Sequence, residues 1–250
     1  MNTTPPADAR EPPLLGQTIV VIGGSAGIGL ETARRARAEG AQVVLAARNR
    51  ERLERAAREV GALHTAAFDA ADPASVAGFF GDQPKPIDHV FLTGPGPRYA
   101  PLTDMGFEEA RLALSQHILL AFWVARHAAG KIRPGGTLLF MGGTYGRRPR
   151  RGMALVSAVT AAMPAFVAGL ALDLAPVRVN LIAAGFVDTP LSASLLGDGL
   201  EARRNELRAT LPIGRVVGPA DVAALAVHLM VNETLTGATY DIDGGQQLVA

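Results

Sequence analysis

The length and composition are those of an ordinary globular domain. A chain of 250 residues, 48% hydrophobic and 19% charged, is long enough to bury one sizeable core, so a single domain is expected. A formal net charge of +1 argues against nucleic acid and against an anionic membrane as partners. The lack of cysteine excludes a disulfide framework and thiolate chemistry, and the five histidines form no paired ligand motif, so no metal is expected.

The first thirteen residues contain four prolines and no apolar run. They predict a disordered tail over 1–13 ahead of one domain over 14–250, and they exclude a signal peptide. The most apolar long run, Ala161–Leu172, is far shorter than the ~20 residues of a membrane span. We therefore expect a cytoplasmic protein that does not associate with a membrane.

The segment Thr18–Leu30 predicts a strand, a glycine-rich turn and the start of a helix. Apolar and β-branched residues run into Gly23, Gly24, Gly27 and Gly29. Glycine lets a backbone approach an anion closely, and the N–H groups of a helix that opens near Gly27 point at the same place. The pattern favours a phosphate cradle, although a tight turn in any α/β protein would show similar glycines.

Hydrophobic periodicity and capping residues predict alternating elements along the rest of the chain. Further strands are expected at Gln42–Ala46, Leu63–Phe68, His89–Leu92, Thr137–Met141, Val177–Ile182 and Thr239–Ile242. Helices are expected at Leu30–Glu39, Arg50–Val60, Pro73–Phe80, Phe107–Ala129 and Met153–Leu174, then up to about Leu211 and over Pro219–Met230, with an irregular segment at Ala183–Gly199. This order predicts an α/β, Rossmann-type, doubly wound fold: one seven-stranded, mostly parallel sheet with helices on both faces.

The helix expected at Met153–Leu174 is apolar nearly all round. A helix of this kind must be covered on both sides, which indicates a subunit interface. Pro164 removes one backbone hydrogen bond inside it and is expected to kink it unless the proline lies in the first turn.

Five motifs follow one another along the chain. They are G-G-S-A-G-I-G at 23–29, F-D-A-A-D at 68–72, T-G-P-G at 93–96, R-V-N-L-I-A-A-G-F-V-D-T-P at 178–190 and Y-D-I-D-G-G at 240–245. In this order and spacing they resemble the short-chain dehydrogenase/reductase superfamily from Gly16 to Val249. The resemblance implies a dinucleotide cofactor. It also suggests a homo-oligomer, a tetramer or dimer, with an interface built from the two long helices.

The resemblance also implies which residues hold the cofactor. In the family the glycine turn holds the pyrophosphate, an aspartate after the third strand bonds the adenine amino group, and a threonine steadies the nicotinamide carboxamide. Asp69 and Thr189 occupy the last two positions. With the turn and its neighbours, the candidate cofactor residues are Gly23, Ser25, Ala26, Gly27, Ile28, Gly29, Asp69, Gly94, Val187 and Thr189.

The choice between NAD and NADP depends on the end of the second strand. NAD sites usually place an acid about 20 residues beyond the glycines to bond the ribose 2′-hydroxyl. Here Ala47 and Arg48 stand at that position, which leaves room for a 2′-phosphate and supplies a guanidinium to pair with it. The sequence favours NADP over NAD, unless Arg48 only faces solvent.

The positions that carry catalysis in the family depart from its pattern. Family members use a serine, a tyrosine that donates the proton and a lysine that lowers the tyrosine pKa. The resemblance places Gly143, Val156 and Thr160 at these positions, and His117 at an assisting asparagine. Because valine cannot donate a proton, the standard mechanism is absent, and loss of a general acid costs roughly 10²- to 10⁴-fold in rate.

Other polar side chains are available near these positions. Tyr145, at the carboxyl end of its strand, is the first candidate for a proton donor, and Thr144, Ser157 and His117 are weaker ones. Alternatively, Tyr145 is a loop tyrosine packed against Pro149, and His117 is a helix histidine bonded to a backbone carbonyl.

The loop after Tyr145 reads G-R-R-P-R-R-G. Its arginines would form a clamp for an anionic small-molecule substrate, or else a solvated face. They are Arg147, Arg148, Arg150 and Arg151.

Two functions are compatible with these features. The first is an NADP(H)-dependent oxidoreductase that acts on a small carbonyl, alcohol or enone, with Tyr145, a water or the cofactor ribose handling the proton. The alternative is a catalytically silent or non-redox member of the fold, either a nucleotide-binding sensor or regulator, or a lyase or isomerase.

Overall fold

Seven strands form one sheet in the computed structural model, which describes residues 11–83 and 86–249. They are β1 (Thr18–Ile22), β2 (Gln42–Ala47), β3 (His64–Ala67), β4 (Ile87–Leu92), β5 (Ile132–Gly143), β6 (Arg178–Ala184) and β7 (Thr239–Ile242). Their order is β3-β2-β1-β4-β5-β6-β7, and each neighbouring pair is parallel. This confirms the doubly wound sheet. The strand order reverses between β1 and β4, where such sheets bind ligands.

Helices cover both faces of the sheet. They are α1 (Gly27–Ala38), α2 (Arg50–Val60), α3 (Pro73–Asp82), α4 (Phe107–Leu114), α5 (Leu120–Ala128), α6 (Ala154–Asp173), α7 (Pro190–Leu196), α8 (Leu200–Thr210) and α9 (Pro219–Val231). The predicted caps hold: Asn49 accepts a hydrogen bond from the Arg52 N–H, and Asp72 caps α3.

Each central strand buries side chains on both faces, as parallel sheets require. In β1, Val20 and Ile22 belong to the core cluster that includes residues of α3, α5 and α6. Ile19 and Val21 belong to the opposite cluster, with residues of α1, α2 and α9. The strand ends are thus held rigidly between two layers, and the turns that follow them are fixed in position.

The helix expected over Phe107–Ala129 is divided. A π-helical segment, Ser115–Leu119, separates α4 from α5. A π-segment bonds residue i to i+5 and often occurs at functional sites. The periodicity of the apolar residues could not reveal this change.

The expectation of an irregular segment at Ala183–Gly199 is wrong, because α7 lies inside it. Thr189 and Ser192 form a reciprocal capping box, with Thr189 N–H donating to Ser192 Oγ at 2.8 Å. Pro190 sits at the first helical position, where its missing N–H costs nothing.

The helix α6 continues through Pro164, its eleventh residue, so the proline does not lie in the first turn. At 20 residues it is long and apolar enough to cross a membrane by length and composition, contrary to the shorter run expected from the sequence. However, it connects β5 to β6, which pair with each other, and Val159, Met163 and Val167 are buried against the core. We therefore describe it as a crossover helix of the sheet.

Of the predicted tail, residues 1–10 lie outside the described part of the chain, as do two residues of the bend at 83–86. Within 11–13, the Pro12 carbonyl accepts a hydrogen bond from the Leu15 N–H at 3.0 Å.

Candidate functional site

The glycine turn between β1 and α1 leaves a helix N-terminus open. Ala26 is the N-cap of α1, no side chain in the described residues caps this end, and the first turn contains no acid. The N–H groups there keep their hydrogen-bonding capacity and the positive end of the helix dipole. The turn is therefore able to receive an anion, as the sequence predicts.

Close packing explains why glycine is needed in this turn. A Cβ on Gly29 would collide with the Gly23 carbonyl oxygen, and a Cβ on Gly24 would lie 2.7 Å from Leu45 Cδ2. Gly23 has a φ of +90°, and a Cβ there would collide with Thr93 Oγ1. Side chains at these positions would deform the turn.

A cavity of about 520 Å³ opens beside this turn, at the carboxyl ends of β1, β2 and β3. We call it the Arg48 cavity. Arg48 and Arg52 both line it, and no residue of its described lining except Asp69 is acidic. Asp69 accepts a hydrogen bond from the Ala71 N–H at 3.0 Å. Gly23, Ser25 and Gly94 line the same cavity.

A second cavity of about 450 Å³ continues from the first toward β5 and β6. We call it the Tyr145 cavity. The two share Leu92, Gly94, Pro95, Gln116 and Leu120 as lining residues. Ile28, Val187 and Thr189 line the second cavity, and Thr189 faces Gly27, where a Cβ would lie 3.5 Å from the threonine Cβ. A long ligand bound at the glycine turn can thus extend in both directions.

Tyr145 lines this cavity and contacts Tyr99. The two rings pack edge to face, with their centroids 6.0 Å apart and their planes at 76°. Burial, and to a lesser degree the neighbouring Tyr145, raise the pKa of Tyr99, so Tyr99 stays protonated at neutral pH. The ring of Tyr145 is thereby packed against a second phenol at the cavity.

The backbone after Tyr145 is fixed by contact with α6. A Cβ on Gly146 would lie 2.5 Å from the Ala161 nitrogen. The loop therefore packs so closely on the helix that residue 146 has no room for a side chain. Gly152 accepts a hydrogen bond from the Ala100 N–H at 3.1 Å, which joins the segment carrying Tyr99 to the same loop.

Two of the weaker candidates do not reach the cavity. Thr144 is buried and does not line it. Ser157 is buried too, and its hydroxyl has no hydrogen-bond partner in the described residues. It follows Val156 by one helical position, which turns it away from the cavity. These two candidates therefore lie outside the cavity lining.

His117 lies in the π-segment and lines the Tyr145 cavity. Its Nδ1 is 3.0 Å from the Ala113 carbonyl oxygen. The alternative reading, a helix histidine bonded to a backbone carbonyl, is thus confirmed.

The loop arginines do not form one clamp. Arg147 pairs with Asp241, and Arg148 donates to the carbonyls of Gln247, at 2.9 Å, and Val249. Arg150 lines the Tyr145 cavity, whereas Arg151 is exposed and does not. Neighbouring side chains of a loop point in different directions, so four arginines that are close in sequence do not form one cluster in the structure.

Comparison with known proteins identifies the family. The family model described as enoyl-(acyl carrier protein) reductase matches residues 23–247. A short-chain dehydrogenase/reductase of Stachybotrys chlorohalonatus, ATR9, is 26% identical over 94% of this chain and 98% of its own length. The chain belongs to the short-chain dehydrogenase/reductase family.

Two further members show how closely the chain follows this family. An NADP-dependent (R)-specific alcohol dehydrogenase of Lentilactobacillus kefiri is 29% identical over 93% of this chain and 97% of its own length. The crystal structure of a short-chain dehydrogenase from Burkholderia cenocepacia in complex with NADP has a TM-score of 0.83 and 28% identity, covering 94% of this chain and 99% of that one.

The positions that the resemblance assigns to short-chain dehydrogenase/reductase catalysis do face the Tyr145 cavity. Gly143, Val156 and Thr160 all line it. The Thr160 hydroxyl is engaged with the Val156 carbonyl at 2.8 Å, so its donor is directed along the helix. None of these three residues therefore directs a proton donor into the cavity.

Sequence reasoning missed several lining residues. Arg52 follows the Asn49 cap by three positions, and that helical spacing was a usable signal. Tyr99, Arg98 and Arg203 come from a loop and a distant helix, which converge only in the folded protein. The described residues contain no cluster of three His, Asp or Glu side chains that could hold a metal.

Proposed function

We propose that this chain is an NADP(H)-dependent oxidoreductase that transfers hydride between the nicotinamide and a small carbonyl, alcohol or enone. The observation that carries the proposal is a pair of arginines in the Arg48 cavity: Arg48 follows β2, and Arg52 lies in the first turn of α2. An acid there would bond a free ribose hydroxyl, whereas two guanidinium groups favour a phosphate.

The residues present fit such a cofactor over its whole length. The uncapped start of α1 and the glycine turn suit the pyrophosphate, and Asp69 lines the cavity that would hold the adenosine end. Thr189 lies where the nicotinamide end would extend, in the second cavity. Relatives that bind NADP, named above, support the same assignment.

When bound, the reduced cofactor supplies the hydride. The chain must then orient the substrate and provide a proton. We propose that Tyr145 donates it, because its phenol lines the Tyr145 cavity and packs against Tyr99.

The test of the cofactor assignment is a titration with NADPH and NADH by calorimetry. We expect NADPH to bind at least about tenfold more tightly, and Arg48→Ala and Arg52→Ala to reduce that preference. Arg55→Ala is the matched control, since Arg55 is exposed on the same helix and does not line the cavity. Equal affinity for both cofactors would overturn the assignment.

A second candidate is a non-redox or silent member of the family. Gly143, Val156 and Thr160 favour it, because none of them replaces the missing acid. Screening carbonyls and enones for loss of NADPH absorbance separates the two. Tight NADPH binding with no oxidation of NADPH by any substrate would favour the second candidate.

We also propose that a second copy of the chain covers α6, in a dimer or tetramer. Its outward stripe consists of small exposed residues, namely Ala154, Ala158, Ala161, Ala165 and Ala168. Phe107 and Phe122, on the neighbouring long helices, are 80% and 40% exposed. Light scattering of the wild type and of Ala165→Arg is the test, and a monomeric wild type would contradict the proposal.

A further inference from the structure

The Tyr145 cavity has a charge asymmetry that hydride transfer alone does not explain. Its described lining contains three arginines, Arg98, Arg150 and Arg203, and no aspartate or glutamate. In the whole chain basic and acidic residues are nearly equal, at 24 and 23. The excess of positive charge is therefore local to this cavity.

The three arginines come from different parts of the fold. Arg98 precedes α4, Arg150 follows β5, and Arg203 belongs to α8. The guanidinium carbon of Arg203 lies 6.0 Å from the centre of the Phe186 ring, which also lines the cavity. Guanidinium groups from three elements thus converge on one cavity, where they can donate charge-assisted hydrogen bonds to an anion.

The carboxylates that pair with two of these arginines stand outside the cavity lining. Arg98 pairs with Glu109, and Arg203 pairs with Glu206 at 2.6 Å. The side chain of Glu206 is 54% exposed. The side chains of Arg98 and Arg203 are themselves 51% and 20% exposed. Ion pairs that solvent reaches are weak, so a ligand anion is able to compete for both arginines, and for Arg98 more readily.

The remaining wall is apolar and part of it is still exposed. The leucines of α7, Leu191, Leu195 and Leu196, line the cavity with 48%, 46% and 39% of their surface accessible. A ligand with an apolar body would remove this surface from water. The volume, about 450 Å³, falls within the ~300–1,000 Å³ common for small-molecule sites.

We propose that the substrate is an amphipathic anion, with its apolar body along the α7 leucines and its carboxylate or phosphate paired with Arg98, Arg150 and Arg203. The inference rests on the proposed function for the reaction at the other end of the substrate, whereas anion binding itself does not require turnover. It replaces the sequence-based clamp of four loop arginines, of which Arg150 alone lines the cavity.

The experiment compares three probes with the same chain: octanoate, octyl phosphate and octanol. Each is titrated into NADPH-saturated protein by calorimetry. We expect at least one anion to bind about tenfold or more tightly than octanol, because charge-assisted bonds to arginine are absent for the alcohol. Tighter binding of octyl phosphate than of octanoate assigns a phosphate-bearing substrate, and the reverse assigns a carboxylate.

Arg203→Gln and Arg150→Gln are expected to weaken the preferred anion about tenfold and to leave octanol unchanged. Arg151→Gln, one residue from Arg150 but outside the cavity lining, is the matched control. Circular dichroism checks folding, and Arg98→Gln serves if either variant is unfolded.

Octanol binding as tightly as both anions, or an anion preference that survives all three cavity variants, would overturn the inference. NADPH binding and hydride transfer would be unaffected by that result. Conversely, anion binding without any hydride transfer would refute the proposed function and leave this inference in place.

Discussion

The Arg48 cavity and the Tyr145 cavity adjoin each other, yet they keep the family pattern to different degrees. In the first, the glycines, Asp69 and the open start of α1 stand where a dinucleotide needs them. In the second, the residues of the catalytic positions are glycine, valine and threonine on an otherwise well-formed wall. Holding a cofactor and reacting with a substrate are therefore separable requirements, because backbone geometry meets the first and a few side chains meet the second.

The largest effect is expected from Tyr145→Phe. Loss of the proton donor should lower kcat by roughly 10²- to 10⁴-fold and leave the NADPH dissociation constant unchanged. Steady-state kinetics with an accepted substrate, alongside cofactor titration, measures both. Tyr240→Phe is the control, since it also removes a tyrosine hydroxyl, but from a residue of β7 that does not line the cavity. An unaltered kcat in Tyr145→Phe would rule out the acid role.

Gly29→Val should weaken cofactor binding and leave the substrate cavity intact. A side chain there collides with the Gly23 carbonyl, so the turn must open, and NADPH affinity should fall by about 100-fold. Binding of the anionic probe to the free protein should change little, because the Tyr145 cavity keeps its arginines. Gly78→Val is a suitable control, since a Cβ at Gly78 meets nothing within 4 Å. Joint loss of both ligands would show that the two cavities are not independent.

A third effect lies away from both cavities. Burial lowers the pKa of His89 to about 3, and its Nε2 lies 2.6 Å from Gln17 Oε1. Asp88 opposes this shift, while Arg178 and Arg133 reinforce it. The unfolded histidine binds a proton below about pH 6.5, whereas the folded one stays neutral down to about pH 3. The free energy of unfolding is therefore highest above pH 6.5 and decreases as the pH falls toward 3.

Urea unfolding between pH 7.5 and 4.5 measures this loss. The expected slope is up to about 1.4 kcal/mol for each pH unit below 6.5, and His89→Asn should flatten it. His64→Asn, at an exposed position on β3, should retain the wild-type slope. A slope unchanged by His89→Asn would assign the acid sensitivity to other groups.

The smallest effect is expected from Tyr99→Phe. It removes the hydroxyl of the ring that packs against Tyr145 without removing the proton donor, so kcat should fall by no more than about tenfold. A change confined to thermal stability would reduce Tyr99 to a packing residue.

Local patterns carried most of the successful predictions. The caps at Asn49 and Asp72 and the glycine turn depend on residues within a few positions of one another, and the structure has them as expected. The helix at Pro190–Leu196 had an equally local signal, a threonine followed by proline and a serine three positions on, which was overlooked.

The candidate site was harder to predict, because its polar residues meet only through tertiary structure. Tyr99 and Tyr145 are 46 positions apart, and no periodicity connects a loop tyrosine to a cavity. The loop arginines show the converse, since Arg147 and Arg148 are adjacent in sequence but contact different partners. The sequence thus indicated the region of the site, but it overestimated how many adjacent loop residues contribute to it.

The π-segment Ser115–Leu119 has a consequence for how this chain tolerates change in length. A π-turn contains one residue more than an α-turn, so the segment between α4 and α5 has one extra residue beside the cavity. A single-residue deletion within an ordinary helix rotates everything beyond it by about 100°. Here a deletion would let α4 and α5 merge into one regular helix. It would displace Gln116 and His117 at the cavity wall and leave the hydrophobic core in place.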